Sequence, residues 1–294
     1  MTHVERLRRS PASFRALTGI GPAEFDALLA RLTPLEQQAR SRRAQRPGRR
    51  RKAGAGRKFK TPLCDRLLML LIYYRTYVTH AFLGFLFGVD DSTVGRDINP
   101  LQPLLAGVFR LPERRAELRP DEVRELFFDA TEQPVCRPGR GQRGYYSGKK
   151  KRHTIKHQVV VARQRKRPGP APGGGAKPRR VRVVAVSPAH GGRVHDKRVY
   201  DQTRVTCPPG VPRTGDSGYR GTGLRTPHRK PAGGELTRRQ RRGNRRLARR
   251  RVVAEHGIGK MKVWRIAADR YRNPRRRHTL ILKNVAGLHN LMYA

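Results

Sequence analysis

The chain has 294 residues, enough for one to three domains with a real core, and its 67 Lys and Arg against 21 Asp and Glu give a net charge of +46. A hydrophobic fraction of 36% is low for a globular protein, and a pI near 11.8 points to a polyanionic partner, nucleic acid before others, because each neutralised phosphate releases a counterion. Three scattered cysteines, Cys64, Cys136 and Cys207, lack zinc-finger spacing and argue against a disulfide framework; they read as reduced thiols of a cytosolic protein. The N-terminus has no signal-peptide core. The most apolar stretch, 63–89, is broken by Asp65, Arg66, Arg75 and His80, which argues against a membrane span.

Residues 1–40 read as a small helical segment. Phe14, Leu17, Phe25, Leu28, Leu29 and Leu32 recur at helical spacing; Gly21-Pro22 starts a helix and Thr33-Pro34 is expected to end it. Residues 41–60 are Arg-, Lys- and Gly-rich and cannot build a core. They read as a flexible basic arm on phosphates or in a minor groove, or as a solvated linker.

Residues 61–112 read as a helix-turn-helix unit of three helices. Thr61-Pro62 opens the first, with Leu63, Leu67, Leu70, Leu71 and Tyr74 on one face. The second spans about 79–87. Gly88 to Asp91 forms a turn, with Asp91 or Ser92 capping the third. In this arrangement the third helix presents Ser92, Thr93 and Arg96 to base edges; an ordinary helical hairpin is the competing reading.

Residues 121–294 carry the candidate chemistry. Leu126, Phe127 and Phe128 form a short apolar strand expected to end at Asp129, and Pro120 and Pro134 bracket it. Only nine acidic residues lie from 124 onward, so an Asp at a buried strand tip is a candidate metal ligand, or else a turn cap. Lys149, Lys150, Lys151 and Arg152 lead into a second strand ending in Val159, Val160 and Val161. Residues 164–180 read as a loose Pro/Gly/Arg insert, and 181–187 as a third strand. His195-Asp196 opens a helix, with Asp196 most simply its N-cap and a metal role the minority reading. A fourth strand leads to Asp216, flanked by Gly215 and Gly218, which reads as a site residue or as a turn Asp.

A long helix, from Leu236 or Asn244 to about Ile266, places Arg251, Glu255, Ile258 and Lys262 within a sector of roughly 60°. Gly257 and Gly259 in its interior suggest close approach of another backbone or of DNA. The order strand, strand, strand, helix, strand, helix is that of an RNase H-like core. The fold class is therefore α/β, a mixed sheet flanked by helices, with an N-terminal all-α helix-turn-helix domain. A trio of Asp129, Asp216 and Glu255 could hold two divalent ions about 3.5–4 Å apart for phosphodiester chemistry.

These blocks resemble bacterial insertion-sequence transposases of the DDE type. Phe128-Asp129-Ala130-Thr131-Glu132 resembles the family's first-Asp motif, and Tyr146 to Lys151 with His153, Thr154 and Lys156 its second strand. Gly191 to Lys197, and Gly215-Asp216-Ser217-Gly218-Tyr219, resemble the blocks that follow. Arg251, Glu255 and Lys262 fit the helix signature, but position 248 is Ala where Tyr is expected. Leu83 to Val89 resembles a block of the family's helix-turn-helix.

The resemblance implies a DNA transposase that binds terminal inverted repeats and catalyses metal-dependent strand cleavage and transfer. Asp129, Asp216 and Glu255 would be both catalytic residues and ligands of two Mg²⁺ (or Mn²⁺) ions per active site. Arg251, Lys262 and Lys149 to Arg152 would hold DNA. Double-stranded DNA and a homo-oligomer of two or more copies are the expected partners, and the nucleoid in the cytoplasm the expected location. The alternative is a catalytically inactive, transposase-derived repressor.

Overall fold

A computed structural model describes residues 1–45, 47–48, 59–116, 118–165 and 181–293. The basic-arm expectation at 46 and 49–58, and the insert at 166–180, lie outside the described residues. The chain forms two compact units: 1–110 with 263–267, and 111–262 with 268–294. Among the described residues no helix is long and apolar enough to cross a membrane.

The first unit is helical: α1 His3–Arg8, α2 Pro11–Thr18, α3 Pro22–Ala44, α4 Leu63–Thr76, α5 His80–Phe87, α6 Asp91–Ile98 and α7 Leu101–Phe109. Four helices fill 61–110, not three. α3 runs through Pro34 and takes in residues 41–44 of the expected arm. Pro34 costs one backbone hydrogen bond, but Phe25, Leu28 and Leu32 are fully buried on one side of it. On the other side, buried Glu36 pairs with Arg66 at 3.2 Å, so tertiary packing carries the helix past the break. The two charges that interrupt the apolar α4 sequence are buried rather than surface-facing. Asp65 accepts the backbone N–H groups of His3 (3.1 Å) and Val4 (2.9 Å), and Arg66 stacks on the Phe59 ring at 3.6 Å.

The α5–α6 turn depends on glycine. A Cβ on Gly84 would sit 2.4 Å from the Val89 carbonyl oxygen, and Gly88 adopts φ +65°. α4 is preceded by Pro62 at the N-cap, so Thr61 lies one residue too early to cap it. α6 starts after Asp90 with no side-chain cap, so neither Asp91 nor Ser92 serves as one; the Asp90 carbonyl accepts the N–H groups of Thr93 and Val94.

The second unit is a mixed sheet with helices: β1 Val123–Pro134, α8 Gln142–Tyr145, β2 Tyr146–Ser147, β3 Arg152–Gln164, β4 Val181–Val186, β5 His190–Gly191, α9 Asp196–Thr203, β6 Arg213–Thr214, α10 Arg238–Met261 and α11 His278–Tyr293. β3 is central. It pairs antiparallel with β1, β4, β2 and β5, while β6 runs parallel to β1. This is the RNase H-like mixed sheet flanked by helices, preceded in the chain by the all-helical first unit. β1 does not end at Asp129; pairing with β3 continues to Pro134, opposite Thr154.

A bulge between Val123 and Glu125 resets the alternation of β1. Leu126 and Phe128 then join Val123, Val160, Val184 and Tyr219 in one core layer, where Phe128 meets the Tyr200 ring of α9 edge-on. Glu125, Phe127 and Asp129 fall on the alternate face, which α10 covers: buried Glu125 takes two hydrogen bonds from Arg250, at 3.0 and 2.7 Å. Gly257 lets α10 settle on the sheet, since a Cβ there would lie 3.4 Å from Val161 and 3.5 Å from Val181. The close approach expected at Gly257 is thus to the protein's own valines, and Gly259 faces open space.

Candidate active site

Three elements bring the predicted carboxylates into one neighbourhood. Asp129 sits mid-strand on the α10 face of β1. The parallel pairs Leu126–Arg213 and Phe127–Thr214 align β6 with β1, so Gly215-Asp216 follows alongside Phe128-Asp129. Asp216 then caps a short 3-10 turn, its Oδ1 accepting the Gly218 N–H at 2.8 Å. Glu255 is exposed on α10, one turn after half-buried Arg251. Helix α10 ends at Met261, earlier than Ile266, and Lys262 is its C-cap.

Asp129 registers its neighbours. Burial pushes its carboxyl up to about 6, and the charges of Asp216 and Glu255 push the same way. The Ala130 N–H, 2.9 Å from Oδ1, and the Arg251 guanidinium oppose them and lose. Lys262 lies within electrostatic reach of Asp129 and Glu132. Desolvation of its ammonium and the charge of Lys150 lower its pKa, and Asp129 and Glu132 oppose them. Lys150 belongs to the β2–β3 hairpin, where Lys149, Lys150, Lys151 and Arg152 are all exposed. Lys151 takes φ +51°, and the Ser147 hydroxyl accepts the Lys150 N–H at 3.2 Å.

The donor set is all oxygen, which suits a hard divalent cation, and such a cation would offset both the burial that chiefly raises Asp129 and the smaller repulsion from Asp216 and Glu255. Among the described residues, however, no group of three or more His, Cys, Asp and Glu side chains stands close enough to hold a metal ion. The carboxylates share a neighbourhood without closing into a cage.

Beside them lies a network that sequence reasoning did not single out. Lys156, 6% exposed, reaches Asp196 Oδ1 at 2.8 Å, Glu132 Oε1 at 3.3 Å and the Val194 carbonyl at 2.7 Å. The Thr154 hydroxyl donates to Glu132 Oε2 at 2.9 Å. Asp196 is therefore not the cap of α9: His195 is, its Nδ1 accepting the Lys197 N–H at 3.3 Å, because the Asp196 carboxylate is drawn to Lys156. Asp196 Oδ2 and Asp216 Oδ1 both lie 3.0 Å from where a Gly218 Cβ would be, so the two sets adjoin. Tyr219, fully buried, has a hydroxyl with no hydrogen-bond partner among the described residues, and the charges of Asp196, Asp129 and Asp216 raise its pKa further after burial has done so. The signal for Lys156 is its cross-strand pairing with Glu132, which appears only once the register is known.

In the helix-turn-helix unit, α6 brings the three predicted DNA-reading residues together. Arg96 Nη2 donates to Ser92 Oγ (3.1 Å) and Thr93 Oγ1 (2.9 Å), on the side opposite the buried Val94 and Ile98.

A mixed sheet with a carboxylate on each of β1, the β6 turn and the covering helix defines the class of DDE nucleases. Residues 177–290 match DDE superfamily endonuclease, a span that contains Asp216 and Glu255 and begins after Asp129; residues 62–111 match the helix-turn-helix of DDE superfamily endonuclease. The chain is 30% identical over 250 residues to the "Probable transposase for insertion sequence element IS702" of Microchaete diplosiphon, covering 82% of this chain and 84% of that protein. It is also 30% identical over 239 residues to the "Putative transposase for insertion sequence element IS112" of Streptomyces albus G, covering 80% and 82%. No solved structure matches. The chain belongs to the DDE-superfamily transposases of insertion sequence elements.

Proposed function

We propose that the protein is a DNA transposase that binds the terminal inverted repeats of its element and cuts and joins DNA strands at Asp129, Asp216 and Glu255. The observation that supports this reading is geometric: β6 runs parallel to β1 so that Asp216 follows alongside Asp129, and α10, which carries Arg251 and Glu255, covers that face of β1. Asp129, Asp216 and Glu255, drawn closer than they stand in this structure, would hold Mg²⁺ or Mn²⁺, two ions per site, which would supply Lewis-acid activation of the attacking oxygen and charge stabilisation of the departing one. The chain's own cations do the positioning. Arg251 and Lys262 flank Glu255 on α10 and hold the phosphates next to the cut, and Lys149 to Arg152 grip the backbone from the hairpin beside Lys262. Ser92, Thr93 and Arg96 read base edges of the end sequence from α6. Residues 61–112 act as the end-binding domain and 121–294 as the catalytic domain. Two or more copies pair two ends, on DNA in the bacterial nucleoid.

The test is nicking of a supercoiled plasmid carrying the element's ends, with Mg²⁺ and without. Wild type nicks and Asp129→Ala does not; equal background from both ends the reading. A repressor that occupies ends without cutting is the second reading, favoured by the exposed Ala248 on α10 and by the unclosed carboxylates. It gives end binding with no metal-dependent nicking in the same assay.

A further inference from the structure

Helix α10 changes character along its length. Its buried residues, Ala254, Gly257, Ile258 and Met261, all lie in the last third. None of residues 238–249 is buried. In that exposed stretch Arg238, Arg242, Arg245 and Arg249 recur at spacings of four, three and four. At 100° per residue they fall within a sector of roughly 60°, a single spine about 16 Å long. No ion pair among the described residues involves any of the four; the acids nearby are taken by Arg241, which meets Glu235 at 3.2 Å, and by Arg250, which meets Glu125.

Such a spine repels itself, since like charges at i,i+4 destabilise an isolated helix. The fold holds it in place nonetheless. Thr237 and Gln240 form a reciprocal capping box, and Asn244 clamps the helix to the preceding backbone of His228 in both directions, accepting its N–H at 2.8 Å and donating to its carbonyl at 3.1 Å. Beside the spine, Arg238, Arg242 and Arg246 help to line an open groove of about 750 Å³ with His228.

We infer that this spine is a second DNA-binding surface, taking the phosphate backbone of duplex DNA that flanks the catalytic carboxylates. The inference deepens the transposase reading and rests on it for the choice of DNA. A duplex rises about 3.4 Å per base pair, so a spine of about 16 Å runs beside about five base pairs, whose two strands present more phosphates than four guanidiniums can neutralise. From Arg238 to Glu255 the helix rises about 25 Å, the length of roughly seven base pairs. The rigid helix that carries Glu255 thereby fixes the angle at which the duplex meets the site. A guanidinium row without base-edge geometry holds any sequence equally, unlike α6.

The test is the salt dependence of binding to a 30-base-pair duplex in EDTA, read by fluorescence anisotropy. Every phosphate that is no longer neutralised lowers the slope of log K against log salt by about 0.9, so replacing all four arginines by Gln lowers it by about 3–4, while replacing all four by Lys leaves it near wild type. Arg238→Gln or Arg242→Gln alone lowers it by about one, which keeps the test open should the fourfold variant lose helix by circular dichroism. A slope unchanged in the Gln variants overturns the inference, as does a single-stranded RNA of equal length that loses as much affinity as the duplex. Because binding is read in EDTA it is independent of nicking: wild type that nicks with Mg²⁺ while the Gln variants keep its slope sinks only this inference, and wild type that fails to nick while the Gln variants show the expected slope sinks only the catalytic reading.

Discussion

Two groups of carboxylates leave the same strand three residues apart, and the fold treats them in opposite ways. Glu132 and Asp196 are given a cation by the chain itself, Lys156, at 3.3 and 2.8 Å. Asp129, facing Asp216 and Glu255, has Arg251 within reach, yet its carboxyl is still pushed up to about 6. One cluster is compensated by a lysine of the chain; in the other, burial of Asp129 and the charges of Asp216 and Glu255 together outweigh Arg251. Perturbed carboxylates gather at functional sites, so the contrast separates the group that holds the fold from the group proposed to do chemistry.

The largest effect tests the uncompensated group. Glu255→Gln is expected to leave end binding intact and to reduce strand cleavage by at least about 10³-fold, the scale of losing one charged transition-state contact. Retained cleavage would move the third ligand to Glu235 or Asp269 and dissolve the comparison. The compensated group should fail differently. Lys156→Met leaves two mostly buried carboxylates without their cation and should cost about 3–5 kcal/mol of stability, read as a fall in the urea midpoint. A soluble, fully stable Lys156→Met protein would show that Lys156 does not hold Glu132 and Asp196 together.

How much of this was legible follows from periodicity. Apolar runs announce β1, β3 and β4, and Gly88 announces the α5–α6 turn, although the expected side-chain cap at Asp91 or Ser92 does not form. Asp129, Asp216 and Glu255 stood out because acids are scarce in a +46 chain. What periodicity cannot supply is register. That Glu132 opposes Lys156 depends on how β1 and β3 align, and the bulge at Val123/Glu125 decides which β1 side chains face α10. Asp65 and Arg66 read as interruptions of an apolar run because their partners, Val4 and Glu36, are about 61 and 30 positions away in sequence. Pro34 reads as a helix end because local propensity is blind to the packing of Leu32 and Glu36 on either side of it.

A third pair of buried polar groups, remote from acids, sharpens the point about compensation. His157 and His278 stack, with Nε2 of one 2.8 Å from Nδ1 of the other, and His157 Nδ1 is 2.8 Å from the Ser187 carbonyl. A chain of donors running His278 to His157 to Ser187 requires His157 neutral, and the buried Nε2 of His278, which has no hydrogen-bond partner among the described residues, disfavours a second proton on that ring. Burial lowers His157 to about 4 and His278 well below its ordinary value. Both folded values are depressed, so the unfolded chain binds more protons as pH falls. Stability is complete above the unfolded value near 6.5 and is lost toward pH 4, at up to about 1.4 kcal/mol per pH unit for each ring. Urea midpoints measured from pH 7.5 to 4.5 should fall in that window, and His278→Phe should flatten the fall. An equally steep fall in that variant would locate the proton uptake elsewhere, with His289, also lowered to about 4, the next group to replace.

The smallest effect is the one that would most cleanly break the opening contrast. If Asp129 is held against its surroundings, neutralising it should relieve the fold even as it removes cleavage. Its folded value is raised from 3.8 to about 6, so the folded state binds the proton more tightly than the unfolded chain does. The penalty is therefore present in full above pH 6 and disappears as pH falls toward 4, the reverse of the histidine pair. Asp129→Asn keeps the shape and removes the charge. It should raise stability at pH 7.5 by on the order of 1 kcal/mol, a modest share of the shift because Asp129 is only partly buried and Arg251 loses its partner. The gain should vanish at pH 4.5, where the wild-type carboxyl is protonated. A loss of stability at pH 7.5 would mean that Arg251 and the Ala130 N–H already satisfy Asp129, and the two carboxylate groups would then be alike.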